Sequence, residues 1–298
     1  MTTSIAIIGP GAIGGTVAAW LAQDAALDVT LCARTPIAAL EVDTPAGKLT
    51  ATPRVITDPS QAQPVDWIFI ATKTYDAEPT SRWFPPLIGA HTRIAVLQNG
   101  VEHIARFAPY VDAARIVPVV VDLPAERKTP GLIHQRRLGA LLAPDIADGA
   151  DFVALFAKTK IDAATTEDFV SAMWRKLCVN CAGAVFALTM QPPRIVARDD
   201  IAELMRGLMH ECLAVAAAEG ATIEASFPEK IIAGYRATMS DAINSMHADR
   251  IAGRPMELDT RNGVIVRLAA KHGLAAPLNA LMVTLLKAST GAENAAVP

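Results

Sequence analysis

The sequence predicts an α/β chain in which a doubly wound sheet is followed by an all-helical domain. Three observations predict it. Short apolar runs alternate with helical stretches through the first half. A glycine-spaced turn follows directly on the first of those runs. Near residue 165 the pattern changes to almost continuous helical periodicity.

The first run, Ile5-Ala6-Ile7-Ile8, reads as a strand and leads into Gly9-Pro10-Gly11-Ala12-Ile13-Gly14. In a G-x-G-x-x-G turn the first glycine permits the tight bend, the second lets a pyrophosphate approach the backbone, and the third lets helix and strand pack closely. The helix that follows, through Val17-Ala18-Ala19-Trp20-Leu21, offers the unpaired N–H groups of its first turn, including those of Ala12, Ile13 and Gly14, to phosphate. This is the opening of a Rossmann-type dinucleotide-binding unit. Val29-Thr30-Leu31-Cys32 reads as the second strand, and Thr44-Pro45-Ala46-Gly47-Lys48 as a turn between two extended pieces. Trp67 to Ala71 and Ile94 to Leu97 are short apolar runs of the kind found in buried parallel strands. Ile116 to Val121 and Leu132-Ile133-His134 read as further strands, expected at an antiparallel edge.

From about residue 166 helices are predicted over Phe169 to Leu188, Ile201 to Ala218, Glu229 to Thr238, Asn262 to Lys271 and Leu278 to Lys287, with Gly220 and Gly273 as stop signals. The expected division is a nucleotide-binding domain over 1–165 and a helical substrate domain over 166–298. An Ala-rich tail closes the chain.

Composition removes several function classes. The chain has 298 residues, 52% hydrophobic and 19% charged, and is globular. A net charge of −3 gives no basic footprint for nucleic acid. No apolar run approaches the roughly 18 residues of a membrane-spanning helix. The amino terminus lacks the basic start of a secretion signal. Four cysteines (Cys32, Cys178, Cys181, Cys212) make no disulfide framework and suit a reducing cytoplasm. Exposed helical faces are compatible with a homodimer.

The cofactor is read from the second strand. NAD-binding units carry an acid at its carboxyl end. Here that end is Cys32-Ala33-Arg34, and Asp28 precedes the strand at the wrong edge. A guanidinium at Arg34 pairs with a 2′-phosphate, which favours NADP(H) over NAD(H).

In the helical half, Lys176 and Asn180 lie four residues apart and share a helix face. A partly buried lysine there is a candidate general acid; an isolated helical lysine is otherwise a solvated charge. Cys178-x-x-Cys181 without a second pair reads as core. A polar stretch, Asn244 to Arg250 and then Gly253 to Asp259, reads either as capping and ion pairs or as a site.

Over nearly its full length the chain resembles the ketopantoate reductase (2-dehydropantoate 2-reductase) family. The resemblance is carried by Gly9-x-Gly11-Ala12-x-Gly14, Cys32-Ala33-Arg34, Thr72-Lys73, Gln98-Asn99-Gly100, Gly131-x-Ile133-x-His134, Lys176-Leu177-x-x-Asn180, Ser245-Met246-x-x-Asp249 and Glu257-x-Asp259-x-x-Asn262-Gly263. It implies NADPH-dependent reduction of a small 2-oxo acid to a 2-hydroxy acid, with a role in pantothenate biosynthesis. It implies Lys176 as proton donor and Glu257 as the group that binds substrate or orients the lysine. It implies Asn99 and Asn180 on substrate oxygens, Asn99 also near the nicotinamide, Ser245 on the substrate carboxylate, and Lys73 on the cofactor. Ala184 and Arg194 stand where the family often has asparagines. A different 2-oxo acid, such as a dicarboxylic one with Arg194 as its second receptor, is therefore an alternative. So is a sensor that binds NADP without catalysis, although such a protein is expected to have lost Lys176 or Glu257.

Overall fold

The computed structural model describes residues 2–290; the Ala-rich tail lies outside them. The chain forms two compact units, residues 1–169 and 170–298.

The first unit opens with β1 (Thr3–Ile8), α1 (Ala12–Leu21) and β2 (Leu27–Cys32). A hairpin follows, β3 (Leu40–Thr44) and β4 (Gly47–Ala51), and then β5 (Arg54–Ile56) and β6 (Val65–Ile70). Short helices α2 (Ala77–Ser81) and α3 (Phe84–Leu87) lead to β7 (Ile88–Val96), α4 (His103–Phe107) and β8 (Ile116–Pro118). The unit continues through β9 (Val120–Asp122), β10 (Ala125–Thr129), β11 (Leu132–Gln135), β12 (Ala140–Pro144), α5 (Ala147–Ala154) and β13 (Asp162–Thr166).

The main sheet has six strands in the order β5-β2-β1-β6-β7-β8, and every neighbouring pair is parallel. Its apolar runs are continuous because both faces are buried. Ile5, Ile7, Leu31, Trp67, Phe69 and Ala95 point into a core shared with α1. The alternate residues Ala6, Ile8, Cys32, Ile68, Ile70 and Val96 point into a second core with Phe84, Leu87 and Phe107.

Two small sheets complete the unit, and here the sequence reading needs correction. The segments 116–121 and 132–134 do not form one antiparallel edge. β8 is the parallel outer strand of the main sheet. After Val119, β9 pairs antiparallel with β12 in a three-stranded sheet, β13-β12-β9. β11 pairs antiparallel with β10 and parallel with β3 in a four-stranded sheet, β10-β11-β3-β4. The partner of a short strand lies far away in sequence, so its local pattern carries no record of which sheet it joins. Asp28 lies within β2 rather than before it, at the amino end, opposite Ser4. The predicted turn at Thr44 to Lys48 is the β3–β4 hairpin loop; Gly47 has φ +113°, and the Thr44 hydroxyl donates to its carbonyl at 2.7 Å.

The helical stretch comprises α6 (Phe169–Ala182), α7 (Ala184–Thr189), α8 (Asp199–Ala218), α9 (Phe227–Thr238), α10 (Ser245–Ile251), α11 (Val264–Lys271) and α12 (Pro277–Ser289). The single helix expected over Phe169 to Leu188 is two helices separated at Gly183. A Cβ at Gly183 would lie 2.7 Å from Asn244 Nδ2, which instead donates to the Gly183 carbonyl at 2.8 Å. Asn244 Oδ1 meanwhile accepts from His247 N and caps α10. Gly220 and Gly273, with φ +89° and +66°, follow α8 and α11 as predicted stops. Before α11 the chain makes a wide π turn, Asp259–Gly263, in which Gly263 N donates to Leu258 O at 2.9 Å, an i to i−5 bond.

Candidate active site

Four sets of predicted residues in the first unit come together at one edge of the main sheet. The chain runs outward from β1 to β2 and β5, then returns to β6 and proceeds to β7 and β8. The order therefore reverses between β1 and β6, and ligands of such sheets bind beyond the carboxyl ends of the strands at that reversal. Gly9 to Gly14 follow β1, Arg34 follows β2, Lys73 follows β6 and Asn99 follows β7. Arg34 is exposed, whereas Lys73 and Asn99 are half-buried.

The glycine turn fits a pyrophosphate. Gly9 has φ +87°, and a Cβ there would lie 2.7 Å from Thr72 Cγ2 and 2.8 Å from Thr72 N. At Gly14 a Cβ would lie 2.5 Å from Gly9 O and 2.9 Å from Ala71 Cβ, so the third glycine sets the approach of α1 to the strand ends. At Gly11 the nearest atom to a Cβ is 3.9 Å away, which leaves that side of the loop open. α1 has no side-chain cap and no acid in its first turn, so its leading N–H groups face an anion without a competing carboxylate.

The loops after β6 and β7 are tied together by Gln98, which is buried. Its Nε2 donates to Thr72 O at 3.0 Å, Thr72 Oγ1 at 3.1 Å and Lys73 O at 3.3 Å, and its Oε1 accepts from Arg106 at 3.0 Å. The Gln98 carbonyl accepts from His103 Nε2 at 2.8 Å. That bond puts the imidazole hydrogen on Nε2 and leaves Nδ1 buried without a partner. Burial, with the Arg106 charge adding to it, pushes the His103 pKa down to about 4, against the pull of the Gln98 hydrogen bond. A neutral, fixed ring thus supports the backbone that carries Asn99.

The remaining predicted residues lie in the helical unit. Lys176 and Asn180 are half-buried and one turn apart on α6. Asn180 Nδ2 is buried with no hydrogen-bond partner among the described residues. A donor left so costs about 1–3 kcal/mol, and a substrate oxygen is a natural acceptor for it. Ser245 is the exposed first residue of α10. Glu257 is buried in the loop ahead of the π turn.

Arg261 in this cluster was missed in the sequence, and Asn262 was named only within the motif that runs from Glu257 to Gly263, with no role attached. Arg261, 2% exposed in the π turn, donates from Nη2 to Ser245 Oγ at 2.7 Å. Burial lowers its pKa, while the nearby Glu257 and Asp249 carboxylates oppose that shift. Asn262, fully buried, donates to Cys181 O at 3.1 Å and Asn279 Oδ1 at 2.9 Å, clamping the π turn to α6 and α12. Arg261 carries no signal of its own in the sequence; only its place between Asp259 and Asn262 in that motif marks it. Arg250 donates to the Ala187 and Leu188 carbonyls at the end of α7, so part of the polar stretch does serve capping.

Cys178, Cys181 and Cys212 are free and buried, and burial pushes the Cys181 and Cys212 thiols well above their ordinary range. Among the described residues no group of His, Cys, Asp or Glu is arranged to hold a metal ion. Among the same residues no helix is long and apolar enough to cross a membrane. Arg194 is exposed and paired with Asp241 at 3.3 Å. Ala184 is fully buried.

Known proteins agree with this picture. The family model for ketopantoate reductase PanE/ApbA matches residues 5–148, and that for the ketopantoate reductase PanE/ApbA C terminal matches residues 168–290. A 2-dehydropantoate 2-reductase of Caulobacter vibrioides is 54% identical over 287 residues, covering 96% of this chain and 99% of the relative. One from Mycobacterium tuberculosis is 37% identical over 292 residues, covering 97% and 99%. The crystal structure of 2-dehydropantoate 2-reductase from Geobacter metallireducens superimposes with a TM-score of 0.90 at 30% identity, over 96% of this chain and 99% of that one. Two family models that together span most of the chain, and a 54% identical relative covered almost end to end, show that the chain belongs to the ketopantoate reductase family.

Proposed function

We propose that the protein reduces 2-dehydropantoate (ketopantoate) to pantoate with NADPH. The observation that carries this reading is the 54% identity, over almost the whole of both chains, to a 2-dehydropantoate 2-reductase. The residues expected to bear the chemistry, Lys176 and Glu257, are both present in the chain. In this reading the glycine turn and the first turn of α1 hold the pyrophosphate. Arg34 pairs with the 2′-phosphate by charge-assisted bonds that a ribose hydroxyl does not match, and Lys73 contacts the cofactor. When bound, the reduced nicotinamide supplies the hydride.

The protein's own part is binding, orientation and proton delivery. Ser245 receives the substrate carboxylate. Asn180 and Asn99 hold substrate oxygens, and so present the ketone carbon in one orientation. As charge develops on the ketone oxygen, the Lys176 ammonium stabilises it and passes its proton to that atom. Glu257 keeps the lysine directed at it. The ion pair between Arg194 and Asp241 already occupies the guanidinium, which disfavours a dicarboxylic substrate.

The test is NADPH oxidation at 340 nm with a panel of 2-oxo acids. Ketopantoate is expected to be the best substrate. Lys176→Ala is expected to lose most turnover while binding NADPH as before. Preference for 2-oxoglutarate, or full turnover by the variant, would overturn the assignment.

A further inference from the structure

Ser245 is held in an unusual way for a surface serine. It is exposed, yet the atom that fixes its hydroxyl is Nη2 of a guanidinium that is 2% exposed and reaches it from the π turn at 2.7 Å. A guanidinium has only donors, so Ser245 Oγ must be the acceptor in this bond. The Ser245 hydroxyl hydrogen is thereby left to donate elsewhere, and no acceptor for it exists among the described residues. Arg261 Nε is likewise buried without a partner.

We propose that Arg261 is a positioning residue that makes Ser245 an anion receptor. It fixes the oxygen, turns the hydroxyl hydrogen outward, and lends the hydroxyl the polarisation of a cation that is itself shielded from solvent. A hydroxyl so arranged suits a carboxylate acceptor, since donation assisted by a charge is roughly twice as strong as donation between neutral groups. Glu257 and Asp249 lie close enough to stabilise the Arg261 charge. The same turn that precedes α11 thus begins beside Glu257 and carries the support for the carboxylate site. This inference rests on the reading of Ser245 as the substrate-carboxylate residue and adds the residue that gives it that property.

The experiment is steady-state kinetics on wild type, Arg261→Met, Ser245→Ala and the double variant. In Arg261→Met the KM for ketopantoate is expected to rise about tenfold to a hundredfold, with kcat within about threefold and the KM for NADPH unchanged. In the Ser245→Ala background the same substitution is expected to change the KM by less than about threefold, because its effect passes through that hydroxyl. A role in packing alone would instead lower kcat and act equally in both backgrounds. If Arg261→Met does not fold, Arg261→Lys takes its place in the same cycle. That variant keeps the charge without the planar fork, and is expected to raise the ketopantoate KM selectively. An unchanged ketopantoate KM, or an effect undiminished by Ser245→Ala, would overturn the proposal. Absence of ketopantoate turnover in the wild type would instead overturn the substrate assignment.

Discussion

The neutral His103 beneath the Asn99 loop makes stability depend on pH in a calculable way. In the unfolded chain its imidazole titrates near 6.5, and in the fold near 4. Between those values the unfolded chain binds a proton that the folded protein refuses. The contribution is fully present above about pH 6.5 and is lost as pH falls towards 4. At about 1.4 kcal/mol for each tenfold change in proton affinity, the difference corresponds to about 3 kcal/mol in full. The geometry supplies the cause. Nε2 is committed to the Gln98 carbonyl, so an added proton would sit on Nδ1, buried, unpartnered and close to the Arg106 charge. His103→Gln provides the control, because its amide nitrogen can still donate to the Gln98 carbonyl and does not titrate. Urea unfolding of both proteins between pH 7.5 and 4.5 is the assay. The wild type is expected to lose about 2–3 kcal/mol more than the variant over that range. Parallel pH dependences, or an NMR titration showing the ring protonating near 6.5 in the folded protein, would refute the reasoning.

Two further outcomes follow from close approaches in the structure. Gly9→Ala drives a Cβ into the Thr72 backbone at 2.8 Å from a residue with φ +87°; it is expected to weaken NADPH binding at least tenfold by fluorescence titration, and unchanged affinity would remove the turn from the cofactor site. Asn262→Ala strands the Cys181 carbonyl and Asn279 Oδ1. A loss of about 2–4 kcal/mol in unfolding is expected, and a loss below about 1 kcal/mol would show that the clamp is dispensable.

What was legible in the sequence was what is local. The passage from β1 through the glycines to α1 could be read because three glycines at fixed spacing have three separate steric reasons: a turn at Gly9 with φ +87°, open space beside Gly11 and close packing at Gly14. Arg34, Lys73 and Asn99 could be placed because residues just past parallel strands share one sheet edge. The segments 116–121 and 132–134 were read as one antiparallel edge, and the other short strands up to Thr166 went unread, because their pairing is a long-range matter. The break at Gly183 was invisible because its cause, Asn244, lies sixty-one residues further on. α10 was hidden because two turns and a cap look like any polar stretch. Arg261 stayed unread, and Asn262 was legible only through the motif it shares with Glu257 and Gly263, because burial of a polar side chain is decided by what surrounds it and neither residue type advertises that in advance.

The bond from Gly263 back to Leu258 spans one residue more than ordinary helical winding allows. The chain there carries a surplus link, taken up inside a helix instead of in a loop. Deleting one residue from that interval, Thr260 for example, would restore regular winding and rotate what precedes it by about 100° around the axis. Glu257 would swing with it and part company with Arg261, while α11 stayed seated. A single-codon deletion at this place is therefore a steering change, aimed at the orientation of one carboxylate, and a gap falling there in a relative would mark a protein whose acidic group addresses something else.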